Sequence, residues 1–102
     1  MRLAAKPALK LVGEQRITFT GTAAYSINST VQAARVLRVS VETAAVRARF
    51  GSTNPTMTTG LFLAANALVE WDNYDGTSLL KFTRVTGAPV VNVIGFNWAG
   101  DA

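Results

Sequence analysis

A chain of 102 residues, 49% apolar, 16% charged and with a net charge of +4, holds one domain at most and buries a modest core. It has no histidine and no cysteine, which removes the commonest general base, the thiol nucleophile, disulfides and thiolate metal sites. An average soluble domain is about 25% charged, so the apolar excess points to surface hidden against a partner or further copies.

Residues 1–15, MRLAAKPALKLVGEQ, read as an extended basic N-terminal arm. Pro7 breaks a helix, and Leu3, Leu9, Leu11 and Val12 form no single stripe. Lys6, Pro7 and Lys10 interrupt each apolar run, so a signal peptide is not expected. No run in the chain approaches the roughly 18 apolar residues of a membrane-crossing helix. In such an arm Leu3, Leu9, Leu11 and Val12 would anchor on a neighbouring subunit. Arg2, Lys6 and Lys10 would steer it toward an acidic surface.

From residue 16 to 102 a single domain with a period of two is expected. Ile17 and Phe19 share a face, then Tyr25 and Ile27. The polar run Asn28-Ser29-Thr30 is turn material, and VQAARV at 31–36 has room for a helical turn. Over residues 34–43, Leu37, Val39 and Val41 face one way, and Arg38, Ser40 and Glu42 the other. Over 45–50, Val46, Ala48 and Phe50 oppose Ala45, Arg47 and Arg49. Half-buried antiparallel strands alternate in this way.

Gly51 to Thr56 is a loop, in which Pro55 forbids a central strand. Leu61 to Leu63 is a short strand, Ala64-Ala65-Asn66 a tight turn, and Leu68 to Trp71 a further strand. Asp75-Gly76 is a hairpin signal. Leu80 and Phe82 share a face within 78–86, and Val90 to Phe96 is a nearly continuous apolar strand with Gly95 as a bulge position. Trp98 falls beyond that strand. Seven or eight short strands at about ten-residue spacing predict an all-β antiparallel β-sandwich, jelly-roll-like, with a closed barrel as second choice. Its core is expected from Leu37, Val39, Val41, Val46, Phe50, Leu80, Phe82, Val91 and Val93.

Charge is unevenly spread. Residues 1–49 carry eight cations against Glu14 and Glu42, a net of +6, and residues 50–102 a net of −2. The basic part suits an acidic partner. Arg35, Arg47 and Arg49 would form a cross-strand patch if their strands are neighbours. Phe19 and Phe50 nearby fall on apolar faces rather than among these charges, which weighs against stacking on nucleic-acid bases.

Reactive chemistry is sparse. Glu70 and Asp72, two apart on a strand, share a face as two-carboxylate hydrolysis requires. They read better as solvent-side residues that keep a strand edge soluble. Asp72, Asn73 and Asp75 offer oxygen ligands for calcium, but without EF-hand spacing. Trp71, Tyr74 and Trp98 raise carbohydrate contact. No catalytic residue, cofactor or metal site is expected.

Residues 46–63, VRARFGSTNPTMTTGLFL, a small-residue turn, and LVEW at 68–71 carry a pattern of punctuation. A strand ends in Phe50-Gly51, and a Pro55-Thr56 loop follows. Then come the short strand Leu61-Phe62-Leu63, the strand bearing Glu70-Trp71, and a last Val/Ile-rich strand over Val90 to Ile94. Over residues 34–95 this resembles small β-sandwich virion proteins of tailed phages. The resemblance implies a structural protein without catalysis: a capsid decoration or cement subunit, often trimeric, bound to the major capsid protein on the virion surface. A tail, fibre or head–tail component is the alternative within the particle. A glycan-binding sandwich is the alternative outside that class.

Overall fold

The computed structural model describes residues 9–21, 23–72, 74, 76 and 78–98. In chain order the elements are β1 (Leu9–Thr18), β2 (Tyr25–Ser26), α1 (Ser29–Gln32), β3 (Val36–Glu42), β4 (Val46–Phe50), β5 (Leu61–Leu63), β6 (Leu68–Trp71), β7 (Leu80–Arg84) and β8 (Val90–Trp98). All pairings are antiparallel. They build two four-stranded sheets, β1-β8-β3-β6 (sheet A) and β2-β7-β4-β5 (sheet B). Only the connection from β4 to β5 stays within one sheet, and every other connection crosses between the two. The protein is an all-β antiparallel sandwich with the strand order of a jelly roll, two interlocked Greek keys.

The alternating residues fill the space between the sheets. Leu37, Val39 and Val41 of β3, with Val93 and Val91 of β8 beside them in sheet A, face Val46 and Ala48 of β4 and Leu80 and Phe82 of β7, all of them buried. Phe50 departs from the expected core: it is 38% exposed. Its phase in β4 is inward, but it is the last residue of the strand and lies where the sandwich opens. There its ring meets Trp71 edge-on at 5.4 Å and Tyr74 at 5.9 Å.

The arm is corrected over its second half. Residues 9–15 belong to β1 and pair along β8, from Leu9 opposite Trp98 to Gln15 opposite Val93. The expected arm residues Arg2, Leu3 and Lys6 lie outside the described residues. Two features conceal the strand. Its register slips between Leu11 and Gly13, so Val12 is an unpaired bulge that inverts the alternation. The next inward positions hold Gly13 and Gln15 instead of apolar residues, because α1 occupies the space below them. A Cβ on Gly13 would stand 2.7 Å from Thr30 Cγ2, and one on Gly95 would stand 2.6 Å from the Ala34 Cβ. Gln15 Oε1 accepts the Asn28 N–H at 2.6 Å, and Asn28 Oδ1 caps the turn by accepting the Val31 N–H at 2.9 Å. The helical turn thus begins two residues earlier than VQAARV suggests. Its seat is a pair of facing glycines in sheet A.

Three smaller corrections follow from the topology. Trp98 is the last residue of β8, not beyond it. The bulge lies in β1, across from Gly95, not in β8. No hairpin joins β6 and β7, which belong to different sheets, so the one expected at residues 75–76 is not formed between them; Asp75 itself lies outside the described residues. Gly76 does take the left-handed conformation of a turn, with φ 79°, and its carbonyl accepts from Gln32 Nε2 at 2.7 Å.

Candidate functional site

The three arginines expected to form one patch are separated. Arg35 sits at the bend before β3, where its N–H reaches Phe96 O and Asn97 Oδ1 and its carbonyl accepts the Tyr74 N–H. Arg47 and Arg49 are on β4, in the opposite sheet. Leu9, Lys10 and Leu11 are partners of Trp98, Asn97 and Phe96 within sheet A, so they serve their own sheet. Leu11 still shows 57% of its surface.

Arg47 and Arg49 acquire other company. Their neighbour is β7, which sets Thr83 opposite Arg47 and Lys81 opposite Arg49. With Arg84, the strands of sheet B carry four cations and no carboxylate. Sheet A carries Lys10, Arg16 and Arg38 against Glu14, Glu42 and Glu70. Both ion pairs among the described residues lie there, Arg16 with Glu42 at 2.9 Å and Arg38 with Glu70 at 2.6 Å. The sheets divide charge differently from the chain: β1 and β3, from the basic half, lie in the balanced sheet A, while Lys81 and Arg84, from the half with net −2, lie in sheet B.

The cations of sheet B are tied to neutral acceptors. Arg47 donates to Met57 O at 3.1 Å and Gly60 O at 2.9 Å, Lys81 to Ser52 O at 3.2 Å, and Arg84 to Gly87 O at 3.1 Å. These bonds orient the side chains, and those of Arg47 and Lys81 pin the loop over 51–60, but they leave the charge uncompensated. Arg49 is exposed. The Arg47 guanidinium also lies over the Phe62 ring, 5.3 Å from its centroid, a favourable stacking on the ring's negative face.

Beside this face the two sheets end together. β5 and β6 are the edge strands on one flank, joined by the turn at Ala64-Ala65-Asn66, where Ala67 N–H bonds Ala64 O at 3.0 Å and Asn66 takes φ 68°. Exposed apolar side chains lie along it: Met57 at 49%, Leu61 at 52% and Phe62 at 49% on the sheet B side, and Leu68 at 75% on the outward row of sheet A, opposite Ser40. None of these was singled out from the sequence, nor were Lys81 and Arg84. Alternation shows which residues share a face of one strand; it does not show which strand lies beside it. A cheap signal was available: no Asp or Glu occurs between Glu42 and Glu70.

The remaining candidates do not assemble a reactive site. Glu70 is held by Arg38 on the outward face of edge strand β6, and Asp72 is exposed just after it. Asn73 and Asp75 of the calcium reading lie outside the described residues. Among the described residues no three His, Cys, Asp or Glu side chains cluster as metal ligands. Trp71 and Tyr74 are packed with Phe50, so they form no exposed stacking platform. The outer face of sheet A has an open cleft of about 500 Å³ beside Glu14, Arg16, Ser40, Asn92 and Ile94. There Asn92 Nδ2 donates to Glu42 Oε2 at 2.6 Å and Arg16 donates to the same oxygen. These two donors hold the Glu42 carboxyl below the ordinary glutamate range. Among the described residues no helix is long and apolar enough to cross a membrane. Comparison of the chain with protein-family models, curated proteins and solved structures finds no match.

Proposed function

We propose that this protein is a non-catalytic structural subunit of a virus particle, a decoration or cement protein that binds the major capsid protein lattice through sheet B. One observation carries the reading. A cationic sheet face without a carboxylate borders a flank where Met57, Leu61 and Phe62 are exposed. A face of one charge sign raises the encounter rate with an acidic surface, and apolar side chains beside it supply burial once contact is made. The jelly-roll sandwich and the resemblance of residues 34–95 to small phage virion proteins support the same role. Self-association, as a trimer, accompanies it, since a specific interface of about 1,600 Å² would cover the apolar surplus.

Quantitative mass spectrometry of purified particles that contain this chain tests the proposal. Hundreds of copies per particle are expected of a lattice protein. A dozen or fewer would assign the chain to a tail, fibre or connector, and its absence from particles would overturn the reading.

A further inference from the structure

We infer that β5 and the cationic face beside it form a strand-acceptor site for an extended protein segment that alternates acidic and apolar residues. The inference rests on the docking role proposed above, but not on the docking partner being a capsid.

The four sheet edges are unequally protected. Edge strands present unpaired N–H and C=O groups, and proteins blunt them with charge, proline, bulges or brevity. Edge strand β1 carries Lys10, Glu14 and Arg16 and the Val12 bulge. Edge strand β6 carries Glu70, closed by Arg38. Edge strand β2 has two residues. β5 has three residues, Leu61-Phe62-Leu63, with no charge and no proline. One of its sides pairs with β4, Leu63 opposite Val46 and Leu61 opposite Ala48, and among the described residues no strand pairs with the other. Brevity is its one safeguard, and its exposed side chains are large and apolar.

The chemistry of an added strand follows from the register. Side chains of adjacent strands on one face are near neighbours, with strands about 4.8 Å apart. Leu61 and Leu63 lie on the inward row, so the added strand needs apolar residues there. Phe62 lies on the outward row, where Arg47 leans across it. The cation–π contact at 5.3 Å sets the guanidinium over β5, one strand nearer the free edge than its own backbone. A carboxylate on the outward row of the added strand would meet that guanidinium, with Arg49 exposed beside it. No carboxylate of sheet B competes for either cation.

A second copy of β5 fits worse. Antiparallel pairing of β5 with itself brings two Arg47 guanidinium groups toward each other without a counter-charge, and like charges across strands destabilise. Nucleic acid matches the charge, but it offers no peptide groups to pair with the edge.

The test uses the full chain and a short synthetic peptide alternating valine and glutamate, followed by amide NMR. Shifts should concentrate on Leu61, Phe62 and Leu63 and their β4 partners, and affinity should fall with added salt. Arg49→Glu should weaken binding about tenfold or more, and Leu61→Asp, on a half-exposed position, should abolish it with the melting temperature retained. If either variant fails to fold, the other and the control peptides still decide. The inference is overturned by no binding at millimolar peptide, or by equal binding of a valine–lysine peptide. It is also overturned by equal binding of a peptide of the same composition with its glutamates in one block. Two further results would do the same: β5 amides that respond to dilution of the protein alone, which would seat a second copy there, or an oligonucleotide that displaces the peptide.

Discussion

Phe50 and Phe82 both point inward, but their truncation should not cost the same. Phe82 is fully buried between the sheets, whereas Phe50 shows 38% of its surface at the open end. Phe82→Ala should destabilise by about 3–5 kcal/mol, the range for deleting a buried phenylalanine, and Phe50→Ala by about 2 kcal/mol. Chemical denaturation of the two variants checks the order; equal losses would mean that the end of the sandwich is closed in solution. Glu42 supports a second residue-scale prediction. Its carboxylate accepts from Asn92 and Arg16, and its folded pKa is lowered. A lowered folded pKa contributes stability that is present above the unfolded value and lost as the pH falls through the folded one. Stability should therefore decline below about pH 4.5, and Glu42→Gln should flatten that part of the profile. An unchanged slope in the variant, measured by urea denaturation across pH, would remove Glu42 from the acid response. At this scale the sequence was informative wherever alternation ran unbroken. Leu37, Val39, Val41 and Val46 were assigned inward from their phase alone, and they are buried.

β1 shows what alternation cannot reveal. A strand is recognised from apolar inward positions, and here those positions hold Gly13 and Gln15, chosen for the helical turn that rests on them. The signal is absent because the partner of that stretch is a turn, not the opposite sheet. The glycine seat can be tested directly. Gly95→Ala forces its new methyl group toward Ala34, 2.6 Å from Cβ to Cβ, and should cost about 1–3 kcal/mol as overpacking does. Ala34→Gly in the same chain should restore most of that loss, because the two positions share one contact. Thermal melts of the single and double variants provide the check, and simple additivity would mean that the clash is relieved elsewhere. Deleting residues 1–15 makes a sharper element-scale case. Read as an arm, the segment would leave a folded sandwich behind. As β1 it covers β8 from Val93 to Trp98, so its removal exposes a long apolar strand edge. The truncated protein should lose its cooperative melt by circular dichroism; a native-like melt would restore the arm.

Over the whole molecule, the class of fold was legible and its wiring was not. Spacing of turns announces short strands. It does not say that the chain between β6 and β7 crosses from one sheet to the other, or that β4 lies beside β7. The candidate site was hidden for that reason: Arg49 and Lys81 are neighbours only through the topology. The same wiring has a consequence for how the protein is made. β8 sits between β1 and β3 in sheet A, and it joins residues as distant as Arg16 and Asn92, 76 positions apart. Until β8 arrives, sheet A is two fragments with a gap between them, and a nascent chain holding β1 to β7 has nothing to close it. Folding is therefore deferred until the final strand has left the ribosome tunnel, and the earlier strands wait with their edges bare, which favours help from a chaperone. Non-local pairing of this kind is slow, in the millisecond-to-second range. Stopped-flow refolding should fall in that range, and a chain ending before Val90 should show no cooperative transition.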